Sequence, residues 1–371
     1  MSLWIETAHQ SLPSAGEEGC TDVVRTFQTE ERFFALLASG AQAGQVADRA
    51  VSLLEQGVPF DRMTEMLLDA LLPGEHTPFA ILRVLTEGQA EVVECDAPPL
   101  FLVQRGQLIL PPVLEEEVRG HLVRTCRIRL QDGDHLALVS EGYLQRRGQG
   151  WSWAETALAV KRWTDTNCDA TQLLGALVRT YRRLNPKPPQ QDVTILAMHV
   201  RPVRTATVWT GPPADPAQDA AALARLMAEP GTRIICGDTT AQVAARLLGV
   251  PLELEPRPPE GWGQVPPTSR LAGVSLVTEG LLTLQKAQVR IANCKLRMAD
   301  SNLQSAICNL REDGATRLAH ALLAADKIHF LVGLAVNPQQ AADGVPLRKA
   351  AVEQLARELR ARGKVVAVEY W

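Results

Sequence analysis

The sequence predicts two domains of different architecture: an α+β first domain, in which two antiparallel sheets form an αββα sandwich flanked by helices, and a smaller doubly wound α/β domain behind it. Three observations carry this. The chain has 371 residues, beyond the roughly 250–300 at which a single hydrophobic core stops growing. Up to Val200, strand-like runs surround two pairs of helical runs instead of alternating with helices one for one, which favours antiparallel sheet under helical layers. Beyond that point the rhythm changes to strand–helix alternation, the pattern of a parallel doubly wound sheet. Pro202 and the stretch from Thr205 to Pro213 mark the boundary, giving domains 1–202 and 203–371.

Taken in order, Leu3 to Leu12, Val23 to Thr29 and Phe33 to Ala38 read as strands. Gln45 to Gln56 carries Val46, Ala50, Leu53 and Leu54 at helical spacing, with Gly57 at the position that closes a helix in the left-handed conformation. A second helix runs from Phe60 to Leu72. Strand-like runs follow at Ala80 to Leu85 and Ala90 to Glu94 around Glu87-Gly88, and at Leu100 to Val103 and Leu108 to Leu110 around Arg105-Gly106, a hairpin signal. Ile128 to Leu130 and His135 to Val139 flank Asp132-Gly133-Asp134. Helices at Ala154 to Thr164 and Ala170 to Leu184 and a strand at Val193 to Val200 complete the first domain.

In the second domain, helices are expected at Ala217 to Met227, Thr240 to Leu248, Leu282 to Arg290, Leu303 to Leu310, Ala315 to Ala324 and Leu347 to Arg362. Strands are expected at Arg233 to Cys236, Val274 to Val277, Ile328 to Val332 and Val365 to Val368. Pro256 to Pro267, rich in proline and glycine, is expected to be loop.

Composition narrows the function. Hydrophobic residues make up 46% and charged residues 22%, an ordinary globular balance, and a net charge of −4 gives no reason to expect nucleic acid as partner. No apolar run approaches the ~20 residues of a membrane span, and the N-terminus has no basic region followed by an apolar one. No membrane partner and a cytoplasmic location are therefore expected. The seven cysteines are scattered without a Cys-x-x-Cys, so reduced, mostly buried thiols are expected instead of a disulfide scaffold or a cysteine zinc site. The histidines do not pair at metal-ligand spacing, and His135 and His199 read as strand residues with packing roles.

Acidic and glycine-rich motifs gather at predicted strand ends: Cys20-Thr21-Asp22, the run from Leu37 through Ser39-Gly40 to Gly44, Gly133-Asp134 continuing to Ser140-Glu141-Gly142, and Gln191-Asp192-Val193-Thr194. Strand-end carboxylates far apart in sequence are what an oxygen-ligand metal site draws on. In this order, and with Asp96-Ala97-Pro98-Pro99 before Leu100, these segments resemble the PPM-type metal-dependent protein serine/threonine phosphatases, in the sporulation stage II branch. The resemblance covers Leu3 to Val200. It implies two Mn²⁺ or Mg²⁺ ions holding the water that attacks a phosphoserine or phosphothreonine, with Asp22, Gly40 (through its carbonyl), Glu141 and Asp192 at metal positions.

This sequence departs from the family pattern. Ser39 stands where the resemblance implies a bridging Asp, Gln42 where it implies a glycine, Glu141 for an Asp, and Gln191 for the first Asp of the final pair. Glu for Asp keeps the charge but moves it by about 1.5 Å, against a ligand tolerance of about 0.2 Å. Ser39 and Gln191 each remove a charge that would offset dehydration of a hard cation. The competing reading of Asp22 and Asp192 is that they cap turns or strand ends.

In the second domain Cys236-Gly237-Asp238-Thr239-Thr240 reads as strand, tight turn and helix start, a place where free N–H groups favour an anion. The plainer reading makes Asp238 or Thr239 an N-cap. Thr278-Glu279-Gly280 and the run from Gly333 to Asn337 also follow strands, so the three loops are expected to meet at the carboxyl edge of the sheet around a small polar ligand. These stretches are similar to a C-terminal extension in a bacterial subset of such phosphatases. Three functions stay open: a regulatory protein with a degenerate dimetal site, weak or inactive as a phosphatase, that binds a phosphoprotein or regulatory partner; an active phosphatase that uses Mn²⁺ or Mg²⁺; and a small-molecule sensor or enzyme working through the second domain. Mn²⁺ or Mg²⁺ is expected if the chain is active, and otherwise no cofactor.

Overall fold

Strands buried on both faces fix the layering of the first unit. Along β3 (Arg32–Ala38) successive side chains point to opposite faces. Phe34, Leu36 and Ala38 enter one apolar cluster with α1 (Ala43–Glu55) and α2 (Phe60–Leu68). Phe33, Ala35 and Leu37 enter another, facing a second sheet. The second sheet repeats the logic. Leu136 and Leu138 of β10 (His135–Val139) and Leu196 and Met198 of β11 (Val193–Pro202) face the shared inter-sheet core. Ala137, Val139, Ile195 and Ala197 face α4 (Trp153–Thr164) and α5 (Ala170–Leu184). The unit is an αββα sandwich, and each of the fully buried Phe34, Leu36 and Leu37 contributes about 1.5–3 kcal/mol by leaving water.

In this computed structural model the described residues are 3–71, 76–85, 87–144, 152–166, 168–255, 267–293, 313–335, 341–342 and 345–371. They fall into two compact units, Met1–Pro202 and Val203–Trp371. One sheet of the first unit has the order β1 (Leu3–Leu12), β11, β10, β6 (Phe101–Gln104), β7 (Gln107–Ile109). The other has the order β2 (Val23–Gln28), β3, β4 (Phe79–Leu85), β5 (Gln89–Cys95), β9 (His121–Arg129), β8 (Leu114–Val118). Every pairing in both is antiparallel. A short helix, α3 (Glu141–Leu144), follows β10. Capping boxes at Ser152 and Asp169 start α4 and α5, each satisfying backbone donors that a bare helix end leaves open.

In the second unit the sheet order is β14 (Glu253–Leu254), β15 (Ser269–Arg270), β16 (Leu276–Thr278), β13 (Thr232–Cys236), β12 (Thr205–Thr210), β17 (Lys327–Val332), β20 (Val365–Tyr370). The five strands from β16 to β20 are parallel, and β14 and β15 add an antiparallel edge. Helices α6 (Asp219–Ala228), α7 (Asp238–Leu248), α8 (Leu281–Asn293), α9 (Gly314–Ala324) and α10 (Leu347–Arg360) accompany them. A two-residue ladder joins β18 (Ala341–Ala342) to β19 (Val345–Pro346).

Several elements differ from the sequence expectation. Thr205 to Thr210, read as part of a boundary, is β12, the strand between β13 and β17 at the centre of the second sheet. The strand β8 and all of β9 before Ile128 were not expected, because Glu115, Glu116 and Glu117 are exposed and leave no apolar alternation to read in β8. An acidic edge strand of this kind resists pairing with other chains. The short α3, β14 and β15 were also not expected. The expected helix at Leu303 to Leu310, and all but the last residue of the expected loop from Pro256 to Pro267, lie outside the described residues.

Candidate functional site

The strand register gathers the first unit's motif residues. In the antiparallel pair β2–β3, Val23 lies opposite Ala38, so Asp22 and Ser39 continue side by side past the strand ends. In the other sheet Val139 lies opposite Ile195, and beyond that pair Ser140 N–H donates to the Thr194 carbonyl at 2.9 Å. Cys20, Asp22 and Asp192 present ligand atoms within 4.8 Å of one another.

The two aspartates differ sharply. Asp192 is committed: its Oδ1 accepts from Ser14 N–H at 2.8 Å, and its Oδ2 accepts from Thr21 N–H at 2.5 Å and Thr21 Oγ1 at 2.8 Å. Burial works to raise its pKa, but these hydrogen bonds outweigh it and hold the carboxyl below its usual range. Asp22 has a buried Oδ2 with no hydrogen-bond partner among the described residues. Burial pushes its carboxyl above the ordinary range, against the nearby hydroxyls of Thr194, Ser140 and Ser39, and the charge of Asp192 adds to the rise. The Ser39 hydroxyl is likewise buried with no hydrogen-bond partner at contact geometry among the described residues. Burial, the largest cause, pushes the Cys20 thiol up to about 11, which keeps it protonated at neutral pH.

Gly40 and Gly142 are fixed by backbone geometry. Gly40 has φ +91, and a Cβ there would stand 2.8 Å from the His76 carbonyl oxygen. Its own carbonyl accepts from Ala43 N–H at 3.1 Å, in the approach to α1. A Cβ on Gly142 would stand 2.2 Å from the Asp192 carbonyl oxygen, so only glycine lets α3 start beside β11. Glu141 does not join the Cys20–Asp22–Asp192 group within 4.8 Å; its Oε2 lies 3.6 Å from His76 Nε2. Gln191 is exposed.

Sequence reasoning missed a second group. His121 Nδ1 is 2.6 Å from Asp96 Oδ2, and Cys95, Asp96 and His121 bring ligand atoms within 4.8 Å of one another. Spacing along the chain could not reveal this, because β9 returns beside β5 only through sheet pairing. His135 fits its packing role: it is buried, Nε2 lies 2.7 Å from the Cys168 carbonyl oxygen, and its ring stacks on His199 at 4.4 Å. Cys20, Cys95, Cys126, Cys168 and Cys236 are free thiols.

Solved structures similar to part of this chain are PP2C-type phosphatase domains. The phosphatase domain of the cell fate determinant SpoIIE from Bacillus subtilis is 13% identical, with TM-score 0.44, covering 54% of this chain and 93% of that one. The RsbU and RsbW domains of a Mycobacterium tuberculosis protein are 17% identical, with TM-score 0.46, covering 60% and 67%. The catalytic domain of the serine/threonine phosphatase PstP, in complex with two manganese ions, is 11% identical, with TM-score 0.38, covering 54% and 100%. No protein-family model matches the chain, and no curated protein matches it. Among the described residues, no helix is long and apolar enough to cross a membrane.

In the second unit, the register aligns Thr278 with Cys236, Cys236 with Thr210, and Thr210 with Val332. The residues that follow, Glu279, Gly237, Gly211 and Gly333, therefore form one row at the carboxyl edge. Gly333 approaches so closely that a Cβ would stand 2.0 Å from the Pro212 carbonyl oxygen. Gly237, not Asp238 or Thr239, is the N-cap of α7, and it contributes no side-chain cap. Asp238 and Thr239 are exposed, whereas Thr240 is buried and its Oγ1 has no hydrogen-bond partner among the described residues. The Thr278 hydroxyl is committed to the Glu279 carbonyl at 2.9 Å. Asn337 lies outside the described residues.

Proposed function

We propose that the first unit is a serine/threonine-phosphatase-like regulatory module whose dimetal site has degenerated, and that it engages a phosphoprotein or regulatory partner without appreciable turnover. The observation that carries this reading is the unequal state of its two aspartates. Asp192 is occupied by Ser14 and Thr21, and Asp22 is biased toward its neutral form. Ser39 supplies a hydroxyl where a bridging carboxylate would serve, and Glu141 faces His76. Two hard dications need several charged oxygens to offset their dehydration. This donor set does not fit a pair of Mn²⁺ or Mg²⁺ ions. The test is turnover of p-nitrophenyl phosphate and a phosphoserine peptide by the full chain with added Mn²⁺. The expected result is no chelator-sensitive activity. Robust turnover lost in Asp22→Ala would establish the active-phosphatase alternative.

A second reading rests on a separate observation. The Thr210 and Thr240 hydroxyls at the carboxyl edge of the second sheet are buried and unpartnered among the described residues. Buried hydroxyls are normally satisfied, so two such groups beside a row of glycines favour a guest. Exposed Asp238 and half-buried Glu279 disfavour a highly charged phosphate, which leaves a small polar molecule with donors and acceptors. A thermal-shift screen of polar metabolites on Thr240→Val beside the parent chain tests it. A hit that raises the parent's melting temperature and not the variant's supports a sensor role, and no hit above the buffer control refutes it.

A further inference from the structure

We propose that Cys95, Asp96 and His121 form a binding site for one zinc-type divalent transition-metal ion, with His76 as the fourth ligand. The site is separate from the Asp22 cluster and differs from it in chemistry. One thiolate, one carboxylate and two imidazoles make a borderline donor set that suits Zn²⁺ or Co²⁺, while the hard Mn²⁺ and Mg²⁺ favour oxygen.

The geometry brings donors from three segments together. Cys95 ends β5 and Asp96 follows it, held at φ +49, where few side chains rest. His121 opens β9, two residues before Val123, the β9 partner of Cys95. Residues two apart share a face, so His121 and Cys95 project to the same side of the sheet. Their ligand atoms and that of Asp96 lie within 4.8 Å of one another. His76 Nδ1 stands 4.0 Å from the Asp96 oxygen that His121 also meets.

A feature outside this group points the same way. The distal nitrogen of His76, Nε2, lies 3.6 Å from the Glu141 carboxylate. A metal-bound histidine characteristically turns its second nitrogen to a carboxylate, which fixes the ring and raises its basicity. Asp96 is similarly steadied, its Oδ1 accepting from Leu122 N–H at 2.9 Å. Glu141 thus gains a role that its distance from Asp22 and Asp192 leaves open.

The adjustments on binding are small. With Zn–N and Zn–O near 2.0 Å and Zn–S near 2.3 Å, tetrahedral ligands sit about 3.3–3.6 Å apart. The Asp96–His121 contact opens by about 1 Å and the other separations among Cys95, Asp96 and His121 close by a similar amount, within the reach of side-chain rotation, while His76, whose Nδ1 stands 4.0 Å from Asp96, turns in to complete the set. As the metal–sulfur bond forms, the Cys95 thiol releases its proton to water. The His121 ring carries its remaining proton on Nε2, leaving Nδ1 to ligate. The His76 side chain is 59% exposed and provides an access path, while Cys95 is 1% exposed. No paired-cysteine spacing announces a site with a single thiolate.

The full chain, stripped with chelator, is titrated with Co²⁺ and followed by absorption. One equivalent should produce a thiolate-to-cobalt charge-transfer band, displaced by Zn²⁺. The band should vanish in Cys95→Ser and persist in Cys126→Ser. Affinity should fall by more than about tenfold in His121→Gln and His76→Gln. Circular dichroism checks each fold, and if Cys95→Ser does not fold, the two histidine variants decide. The proposal is overturned by absence of a thiolate band at one equivalent, by its survival in Cys95→Ser, or by unchanged affinity in both histidine variants. The last outcome would make Asp96–His121 a structural ion pair only.

Discussion

The Glu255 and Asp313 network of the second unit and the Asp22 cluster of the first live under different rules. In the second unit Glu255 accepts from Thr268, from Arg270 at 3.0 Å and from Arg317 at 2.6 Å, and Asp313 both caps α9 and pairs with Arg290. The Thr268 hydrogen bond above all, with Arg270 and Arg317 behind it, holds the Glu255 carboxyl down to about 2 against the opposing effect of burial. In the first unit Asp22, Asp192 and Glu141 have no arginine or lysine partner among the described residues. The chain neutralises its own charges where they hold structure together. It leaves Asp22 and Asp192 without a built-in cation where the strand ends meet. A carboxylate without a cation is met by hydrogen bonds, as at Asp192, or moves toward its neutral form, the direction in which burial shifts Asp22.

The strongest test of this contrast supplies the missing charge. Ser39→Asp, Glu141→Asp and Gln191→Asp combined should raise Mn²⁺ affinity by about 100-fold or more, roughly 2.8 kcal/mol. Each single change should give less than about threefold, because ligands acting as one unit are strongly non-additive. Calorimetry showing no metal uptake by the triple variant would mean that the backbone positions have drifted, not only the side chains.

Removing a committed carboxylate should come next in size. Glu255→Ala leaves Arg270, Arg317 and Thr268 without their shared acceptor and should destabilise the second unit by about 2–3 kcal/mol in denaturant titration. Because the folded pKa of Glu255 is depressed, its stabilisation is present above the ordinary glutamate pKa and is lost as pH falls toward about 2. A variant as stable as the parent at pH 7 would show that the network is ornamental.

Asp192→Ala should lower the stability of the first unit by about 2 kcal/mol, through loss of the bonds to Ser14 and Thr21. Amide exchange should accelerate first in the segment from Ser14 to Thr21. Exchange rising uniformly across the unit would argue against a local staple.

Asp22→Asn should have the smallest effect, and the opposite sign. The folded pKa of Asp22 is raised, so ionising it opposes folding: the parent loses stability as pH rises from the ordinary aspartate pKa through the folded value. The variant should melt higher at neutral pH, by no more than about 2–4 °C, and the gain should disappear at pH below the ordinary aspartate value. A lower melting temperature at neutral pH would show that the carboxylate has a cationic partner in solution.

The layers of the first unit were legible because β3, β10 and α1 carry their apolar residues at strict periods. Asp22 and Asp192 were legible as neighbours because each stands at a strand end, whereas Glu141 does not join them. The states of the two aspartates were not. What separates Asp192 from Asp22 is a loop 171 to 178 residues distant along the chain, whose backbone donors reach one and leave the other. The Asp96–His121 contact was hidden for the same reason. In the second unit β12 escaped notice because its six residues lie between Pro202 and Pro212-Pro213, and proline on both sides reads as linker.

That misread strand carries a consequence for how the chain is made. β12 leaves the ribosome first among the strands of its sheet, yet it occupies the middle, pairing with β13 on one side and with β17, which begins only at Lys327, on the other. While synthesis continues, an apolar ribbon containing Ala206, Val208 and Trp209 waits with one hydrogen-bonding edge open. The second unit therefore cannot be completed progressively from its N-terminus, and a fragment trimmed at Pro213 to remove a supposed linker would withdraw the strand around which the sheet closes.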